Sequence, residues 1–431
     1  MKIRLGSDLI ECLTWSLYEK PIVLFREAIQ NSIDAFDVNN SNWKDLSISI
    51  TLDHQKREIT VKDNGPGLSA DEFSIALGSL GNSMKKKKNL AGCRGIGRLS
   101  GLGICDEIIF ISHAKDCKFE SSCIIDAKGI RAGLLASDHN TELSEFISNY
   151  VSFSKKEVSD DSKSFFSVIY KNIKRLSSDQ LLNPRSVEEY ILDIAPVPIR
   201  NSHPIVTKIE QFYAKYNLPY GIGVQINGSN NLQKIVEASN LIDSNSLLFY
   251  EDHELLNENN DPIGAAWFIH HDYCGSLGKS AFRGLRFRHK NLLIGNEDTF
   301  SYLFKEPRFN RWTLGEVHAL GQAIRPSVKR DDFEPNNEFN SLVHKLKPHL
   351  YKVAQLARKS SAKRVEEKAL LTIKEQRPML KKINRKLTAG LSRNISKKKA
   401  IQIAEDIFLA SKGKLSTDKI IDAFLCNKIT I

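Results

Sequence analysis

The chain has 431 residues, of which 41% are hydrophobic and 26% are charged, enough apolar material for cores in two or three domains. This composition excludes a disordered chain and a small disulfide-stapled protein. The net charge is +11, but residues 351–431 hold 20 Lys+Arg and 7 Asp+Glu, leaving 42 basic and 44 acidic residues elsewhere. The excess positive charge therefore belongs to the C-terminal tail.

The seven cysteines contain no CxxC pair, which argues against a disulfide framework or a zinc ribbon and favours a reducing cytoplasm. No apolar signal-peptide core or membrane-spanning run is present, so we expect a soluble protein without a membrane partner. A structural metal is not expected, because the following histidines have no metal-ligand spacing: His113, His270, His271, His289 and His318.

Helical periodicity runs from residue 8 to residue 36, and Pro21 divides this stretch into two predicted helices. Residues 69–91 are small, polar and basic and lead into a glycine cluster, which is typical of a mobile lid. Alternating apolar residues predict a hairpin and three further strands. These strands lie at 48–52, 59–61, 108–112, 122–126 and 165–170. Together the segments predict a helix-and-antiparallel-sheet domain over residues 1–174.

A second α+β domain is predicted over residues 175–345. Its elements are a helix at 206–216 and strands at 222–226, 265–271, 284–288 and 292–294. Residues 346–431 are rich in Lys and Arg and poor in glycine, and they predict a basic helical tail.

Three short motifs carry the chemistry, and the first two also have a plain structural explanation. In the first, Glu27, Asn31 and Asp34 share one face of the second helix, which could equally be an ordinary solvated face. In the second, Asp63 is followed by Gly65-Pro66-Gly67, a tight bend that lets a flat ligand approach the backbone, or a plain turn. In the third, residues 92–101 form a glycine loop whose N–H groups can attract phosphate oxygens.

Taken together and in this order, the motifs resemble the ATP-binding domain of the GHKL superfamily, shared by gyrase, heat-shock chaperones, histidine kinases and MutL. The first helices and the loop at 95–100 look most like the prokaryotic HtpG-like, ninety-kilodalton heat-shock chaperones. The resemblance implies an α+β fold: a Bergerat-type ATP-binding α/β sandwich, a βαβ transducer-like middle domain and a helical tail.

The resemblance also implies roles for individual residues. Glu27 would be the general base that polarises the attacking water, and Asn31 would be the Mg²⁺ ligand. Asp63 would bind the adenine amino group, and Asp34 would support that pocket or a water molecule beside it. The remaining nucleotide-binding residues would be Gly65 and Gly67 at the base, and Asn82, Lys85, Arg94, Gly95, Ile96 and Gly97 around the phosphates.

One position departs from the superfamily pattern. The last strand usually begins with a Gly-Thr pair whose Thr helps to hold adenine, but Phe166 stands where that Thr is expected. Ser164 and Ser167 are the candidate replacements.

In the second domain, residues 308–334 resemble the transducer of the chaperone-like group, in which a basic residue reaches the γ-phosphate. Arg330 is the first candidate for this catalytic residue and Lys329 is the second. A guanidinium can stabilise charge that develops on a transferring phosphoryl group. The alternative is a surface cluster of Arg330 with Asp331 and Asp332.

The sequence thus predicts a slow Mg²⁺-dependent ATPase in which the lid and middle domain close on ATP. A protein client and an ATP-dependent homodimer are expected partners. One alternative is a nucleic-acid clamp resembling MutL or the chromatin ATPases, which the basic tail favours but its shortage of aromatic residues opposes. Another alternative is an ATPase subunit of a multi-protein defence system.

Overall fold

The computed structural model describes residues 20–37, 42–78, 97–136, 143–159, 163–175, 178–200, 203–235, 249–273, 275–390, 397–411 and 415–425. The chain divides into two compact units, residues 1–355 and 356–431. The first unit mixes helices with two sheets and the second is helical, so the predicted mixture of α and β elements is confirmed. The three predicted domains, with boundaries after residues 174 and 345, stay a prediction.

The larger sheet of the first unit has seven described strands in the order β5-β4-β3-β6-β2-β1-β7. The strands are β1 (Ser47–Asp53), β2 (Glu58–Asp63), β3 (Glu107–His113), β4 (Phe119–Asp126), β5 (Val151–Glu157), β6 (Phe165–Lys171) and β7 (Gly223–Ile226). The predicted hairpin of β1 and β2 is confirmed, with Ile50 opposite Val61. The edge strand β5 was not predicted, because almost all of its side chains are exposed and no apolar alternation marks it.

Five helices of the described residues belong to the core of this sheet: α1 (Val23–Asp37), α2 (Ala70–Gly78), α3 (Ala127–Ala136), α4 (Leu143–Ser148) and α5 (Pro184–Ile194). Phe25, Ile29 and Ile33 of α1 recur at four-residue steps and are fully buried in the core that also holds Ile48 and Val61. Burying this stripe fixes the rotation of α1 and therefore the direction of its polar residues. The predicted lid segment is helical over its first part, as α2.

Strand β7 comes from the part of the sequence assigned to the second domain. It pairs in parallel with β1, Val224 lying opposite Ile48, and Val224 and Ile226 are buried in the first core. Our placement of the strand predicted at 222–226 in the second domain is therefore wrong. A parallel partner that is distant along the chain leaves no local signal of the strand it will join.

The second sheet has five described strands in the order β11-β10-β12-β9-β8. The strands are β8 (Phe249–Leu256), β9 (Pro262–His270), β10 (Gly284–His289), β11 (Leu292–Ile294) and β12 (Leu314–Ala319). Helix α6 (Pro204–Lys215) packs on it through Ile209 and Phe212 beside Trp267. The predicted strands near β9, β10 and β11 are confirmed, whereas β8 and β12 were missed. Strands β10 and β12 are parallel, and the described helices between them are the 3₁₀ turns Ser301–Leu303 and Pro307–Trp312.

A buried polar group ties the second sheet to the first core. Glu316 of β12 accepts hydrogen bonds from Arg288 Nε at 2.5 Å and from the Tyr213 hydroxyl at 2.8 Å. The same guanidinium donates to the carbonyl oxygens of Asp193 and Ile194 at the end of α5. Cationic donors stabilise the exposed carbonyl groups at a helix C-terminus. The polar group therefore holds α5, α6 and the second sheet together.

The second unit consists of helices, as predicted for the tail. Helix α7 (Asn337–Gly390) begins in the first unit, and α8 (Lys397–Ala410) and α9 (Thr417–Leu425) follow. Ile383, Leu387, Phe408, Ile421 and Phe424 form a buried cluster among these helices. None of the helices in the described ranges combines the length and the apolar character that a membrane crossing requires.

Candidate functional site

Asp63 ends β2 with its carboxylate buried against α1. Its Oδ2 accepts a hydrogen bond from the Ser32 hydroxyl at 2.6 Å, and its Oδ1 accepts one from the Gly65 N–H at 2.9 Å. Burial raises the pKa of Asp63, and the hydrogen bonds from Ser32, Gly65 and the Phe166 backbone oppose that rise. The carboxylate is thus held in one orientation, with Ser32 as its side-chain partner. Sequence reasoning missed Ser32, although its position beside Asn31 in the first motif was a usable signal.

Gly67 lies in the bend that follows Asp63, and only glycine can adopt the backbone conformation of this position without strain. Its φ is 66°, in the left-handed region, and a Cβ atom there would lie 2.0 Å from the carbonyl oxygen of His113. The next residue, Leu68, donates its N–H to the Ser112 hydroxyl at 2.8 Å. The bend is therefore packed directly onto the end of β3, as a close wall for a flat ligand requires.

Phe166 of β6 lies directly opposite Asp63 in the sheet. Its backbone forms a hydrogen bond with the Asp63 carboxylate. Its ring packs against that of Phe110, with the two ring centroids 6.2 Å apart. Successive side chains of a strand point to opposite faces, so Ser167 faces away from Asp63. Ser167 is therefore wrong as a replacement for the usual Thr, and Ser164, two residues before Phe166, stays the candidate.

Glu27 of α1 is 8% exposed and faces the start of the turn Gly97–Leu99. A Cβ atom at Gly97 would lie 2.0 Å from Oε2 of Glu27, so only a glycine lets the loop approach the carboxylate this closely. Of the predicted phosphate-side residues, only Gly97 is described. Asn82, Lys85, Arg94, Gly95 and Ile96 lie outside the described residues.

Arg330 reaches the same carboxylate from the loop that follows β12. Its Nε lies 3.5 Å from Oε1 of Glu27, and the two side chains are only 10% and 11% exposed. Arg330 adopts a φ of 56°, and its carbonyl oxygen accepts a hydrogen bond from the Gly295 N–H at 2.8 Å. The two predicted catalytic residues are thus adjacent in space, although Glu27 lies near the beginning of the first unit's sequence and Arg330 lies near its end. The alternative of an exposed cluster does not fit Arg330, which is 9% exposed.

Arg26 holds the loop that carries Arg330. Its Nη2 donates to the carbonyl oxygen of Lys329 at 2.9 Å, and its Nη1 donates to that of Arg330 at 3.3 Å. Arg26 is itself 5% exposed. Sequence reasoning missed this residue, whose signal was a permanent charge next to Glu27 in a largely apolar helix. Lys329, the second candidate, contributes its backbone carbonyl to this contact.

Asn31 and Asp34 lie on α1 beyond Glu27. Asp34 is 2% exposed, and Asn31 is half-buried. The Asn31 amide oxygen is of the hard donor type that Mg²⁺ accepts, and Mg²⁺ usually takes few protein ligands besides phosphate oxygens and water. The buried carboxylate, the glycine-lined approaches and this oxygen therefore fit a nucleotide with its Mg²⁺.

Comparison with known families agrees with this geometry. Residues 21–148 match the family model described as histidine kinase-, DNA gyrase B-, and HSP90-like ATPase. This segment is a GHKL ATPase domain. The matched range contains α1, the Asp63 bend and Gly97, but not Arg330.

Part of the chain is also similar to bacterial chaperones. It is 28% identical over 132 residues to the chaperone protein HtpG of Streptomyces coelicolor, covering 25% of this chain and 21% of the relative. It is 31% identical over 124 residues to HtpG of Acinetobacter baylyi, covering 24% and 19%. For HtpG of Helicobacter pylori the identity is 26% over 171 residues, covering 31% and 27%. The chain thus spans about a quarter or less of the length of these relatives.

Proposed function

We propose that the protein is a Mg²⁺-dependent ATPase that works as a conformational switch. The observation that carries this proposal is the contact between Glu27 of the ATPase domain and Arg330 of the loop after β12. A buried carboxylate beside a buried guanidinium supplies both a proton acceptor and a fixed positive charge, the two groups that phosphoryl transfer to water needs.

Each residue has a specific task in this proposal. Glu27 accepts the proton of the attacking water, and Arg330 donates hydrogen bonds to the phosphoryl oxygens as their charge grows. Asn31 holds the Mg²⁺, which neutralises phosphate charge when it is bound. Asp63, fixed by Ser32, accepts a hydrogen bond from the adenine amino group.

The switch follows from the place of Arg330 in the chain. Arg330 lies outside the segment that matches the ATPase family, so the complete site needs the loop after β12 to stay docked on α1. Nucleotide contact with Arg330 would stabilise this docking, and loss of the phosphate would weaken it. By similarity to proteins named chaperones, we extend the proposal to a protein client, ATP-dependent dimerisation and a cytoplasmic location.

The test is steady-state ATP hydrolysis combined with nucleotide binding for Glu27→Ala. We expect binding to persist and turnover to fall by about 100-fold or more, the usual range for loss of a general base. Unchanged turnover would exclude Glu27 as the base. Loss of binding together with a changed circular dichroism spectrum would point to misfolding, in which case Glu27→Gln, which keeps the shape, decides.

The two alternatives from the sequence gain no such support. The relatives named above are chaperones, and their names mention no nucleic acid or defence system. The family description includes DNA gyrase B, but the match ends at residue 148, before the basic helices. Deleting residues 356–431 and measuring salt-dependent DNA binding tests the role of the basic helices directly, because phosphate contacts lose affinity steeply as salt rises.

A further inference from the structure

A cluster of metal-ligating side chains lies on the outer strand of the second sheet, separate from the nucleotide site. Glu251 and His253 are two residues apart on β8, so their side chains project from the same face of the strand. His349 of α7 packs on this face, and the rings of His253 and His349 are 3.8 Å apart between centroids. One carboxylate oxygen and one nitrogen of each imidazole lie within 4.8 Å of one another.

From this arrangement we propose that Glu251, His253 and His349 form a binding site for a divalent transition metal, with zinc as the best match. Two imidazole nitrogens and one carboxylate oxygen are the donor set that zinc accepts in three-ligand sites, which keep a fourth position for water. Magnesium and calcium prefer all-oxygen sites, so the two histidines select against them. Ligand atoms in a tetrahedral zinc site lie about 3.3 Å apart, given bonds of about 2.0 Å. Small side-chain rotations therefore suffice to close the site.

The groups around these ligands favour an oriented, anionic carboxylate. His253 Nε2 lies 3.1 Å from Oε1 of Glu251, and His270 Nε2 lies 3.0 Å from the same oxygen. The other ring nitrogen of His270 is 2.6 Å from the Tyr273 hydroxyl. His270, whose other ring nitrogen meets Tyr273, is therefore the second-shell neighbour of the carboxylate, whereas His253 is itself a proposed ligand.

The site is reachable from solvent. The side chain of His253 is 26% exposed and that of Glu251 is 14% exposed, so an ion and its water can enter. Lys352, one turn after His349 on α7, forms an ion pair with Oε2 of Glu251 and is 46% exposed. Its positive charge opposes a bound cation, and its exposed ammonium can rotate into solvent when the metal arrives. The positive charge of Lys352 should therefore lower the affinity of the site for zinc.

The experiment measures zinc bound to the untagged, chelator-stripped full chain without nucleotide, by equilibrium dialysis and elemental analysis. Wild-type protein should bind one zinc ion per chain at this site, and His349→Ala should weaken binding by about tenfold or more. His344→Ala is the matched control, because His344 is an exposed histidine on the same helix, and it should bind as wild type does. Equal zinc binding by His349→Ala and His344→Ala would overturn the proposal.

Two further measurements keep the result interpretable. Lys352→Met should tighten zinc binding, whereas Lys347→Met, an exposed lysine of the same helix, should leave it unchanged. Cobalt in place of zinc should give visible bands typical of nitrogen and oxygen ligands. An intense thiolate charge-transfer band would instead assign the metal to cysteines and contradict the proposal, as would tighter binding in neither lysine variant. Glu251→Gln replaces His349→Ala if the latter does not fold by circular dichroism.

Discussion

Arg330 Nε lies 3.5 Å from Glu27 Oε1, so the proposed base and the proposed phosphate-binding cation share one ion pair. In the proposed function, Arg330 would turn toward a phosphoryl oxygen, and Glu27 would then be able to contact the attacking water. The pair would thus couple the arrival of the phosphate to the action of the base.

Arg330→Ala should lower turnover by about 100- to 1,000-fold, the usual loss when a donor to developing charge is removed. Nucleotide affinity should change much less, because Asp63 and Asn31 are untouched. Arg330→Lys should recover only part of the activity, since an ammonium lacks the planar fork of the guanidinium. The measurement is kcat and KM for ATP in the two variants, and full activity in Arg330→Lys would contradict the fork as the active feature.

Arg26→Ala should loosen the loop that carries Arg330, because the carbonyl oxygens of Lys329 and Arg330 lose the Arg26 guanidinium. The Arg330 oxygen keeps its hydrogen bond from the Gly295 N–H. We expect kcat to fall by about 10- to 100-fold, because a misplaced catalytic group slows the chemical step, and we expect KM for ATP to stay nearly unchanged. Arg185→Ala is the control, since the Arg185 side chain is 88% exposed on α5. A rise in KM without a fall in kcat would show that Arg26 serves nucleotide binding instead.

Gly67→Ala should be far more damaging than Gly228→Ala, although both glycines have positive φ values, 66° and 71°. The Gly228 site has no atom within 4 Å of a new Cβ, so only the backbone cost of about 1–2 kcal/mol applies. At Gly67 the new atom would collide with the His113 carbonyl, adding about 1–3 kcal/mol of overpacking. Urea unfolding of both variants checks this, and equal losses would contradict the observed approach of the bend to β3.

The burial of Lys234 should make the free energy of unfolding depend on pH. It is 4% exposed, and burial, assisted by the charge of Arg288, lowers its pKa to about 7. Between about pH 7 and 10 the unfolded chain binds a proton that the folded chain does not. The free energy of unfolding should therefore rise with pH in this window, by up to about 1.4 kcal/mol per pH unit.

The check is urea unfolding at pH 7 and pH 9 for the wild type and for Lys234→Met. The variant lacks the titrating group, so its slope with pH should be flatter and its stability at pH 7 should be higher. Parallel pH dependence in the two proteins would show that Lys234 stays charged in the fold.

The sequence predicted those parts of the fold that have local signals. Helix α1 was visible because Phe25, Ile29 and Ile33 recur with the helical period, and the β1–β2 hairpin because its strands alternate around a polar turn. Strand β5 was invisible because both of its faces are largely exposed. The placement of β7 was wrong because pairing in parallel with β1 depends on a contact between distant parts of the chain.

The residues of the candidate site likewise fall into those with a local sequence signal and those without one. Glu27 and Asp63 stand in recognisable motifs, but the partners that hold the site, Ser32 and Arg26, act through hydrogen bonds that no spacing reveals. The same holds for His253 and His349, which are far apart in the sequence and meet only because α7 packs on β8. Contacts between side chains of different helices and strands can be identified only from the tertiary structure.

Strand β7 also decides where the ATPase domain can be cut. A fragment that stops at residue 174, or at the end of the family match at 148, would lose the partner of β1 and expose a row of unpaired N–H and C=O groups beside the nucleotide site. Such an edge readily pairs with another chain. Isolated fragments should therefore extend past Ile226, and shorter ones should self-associate whether or not ATP is present.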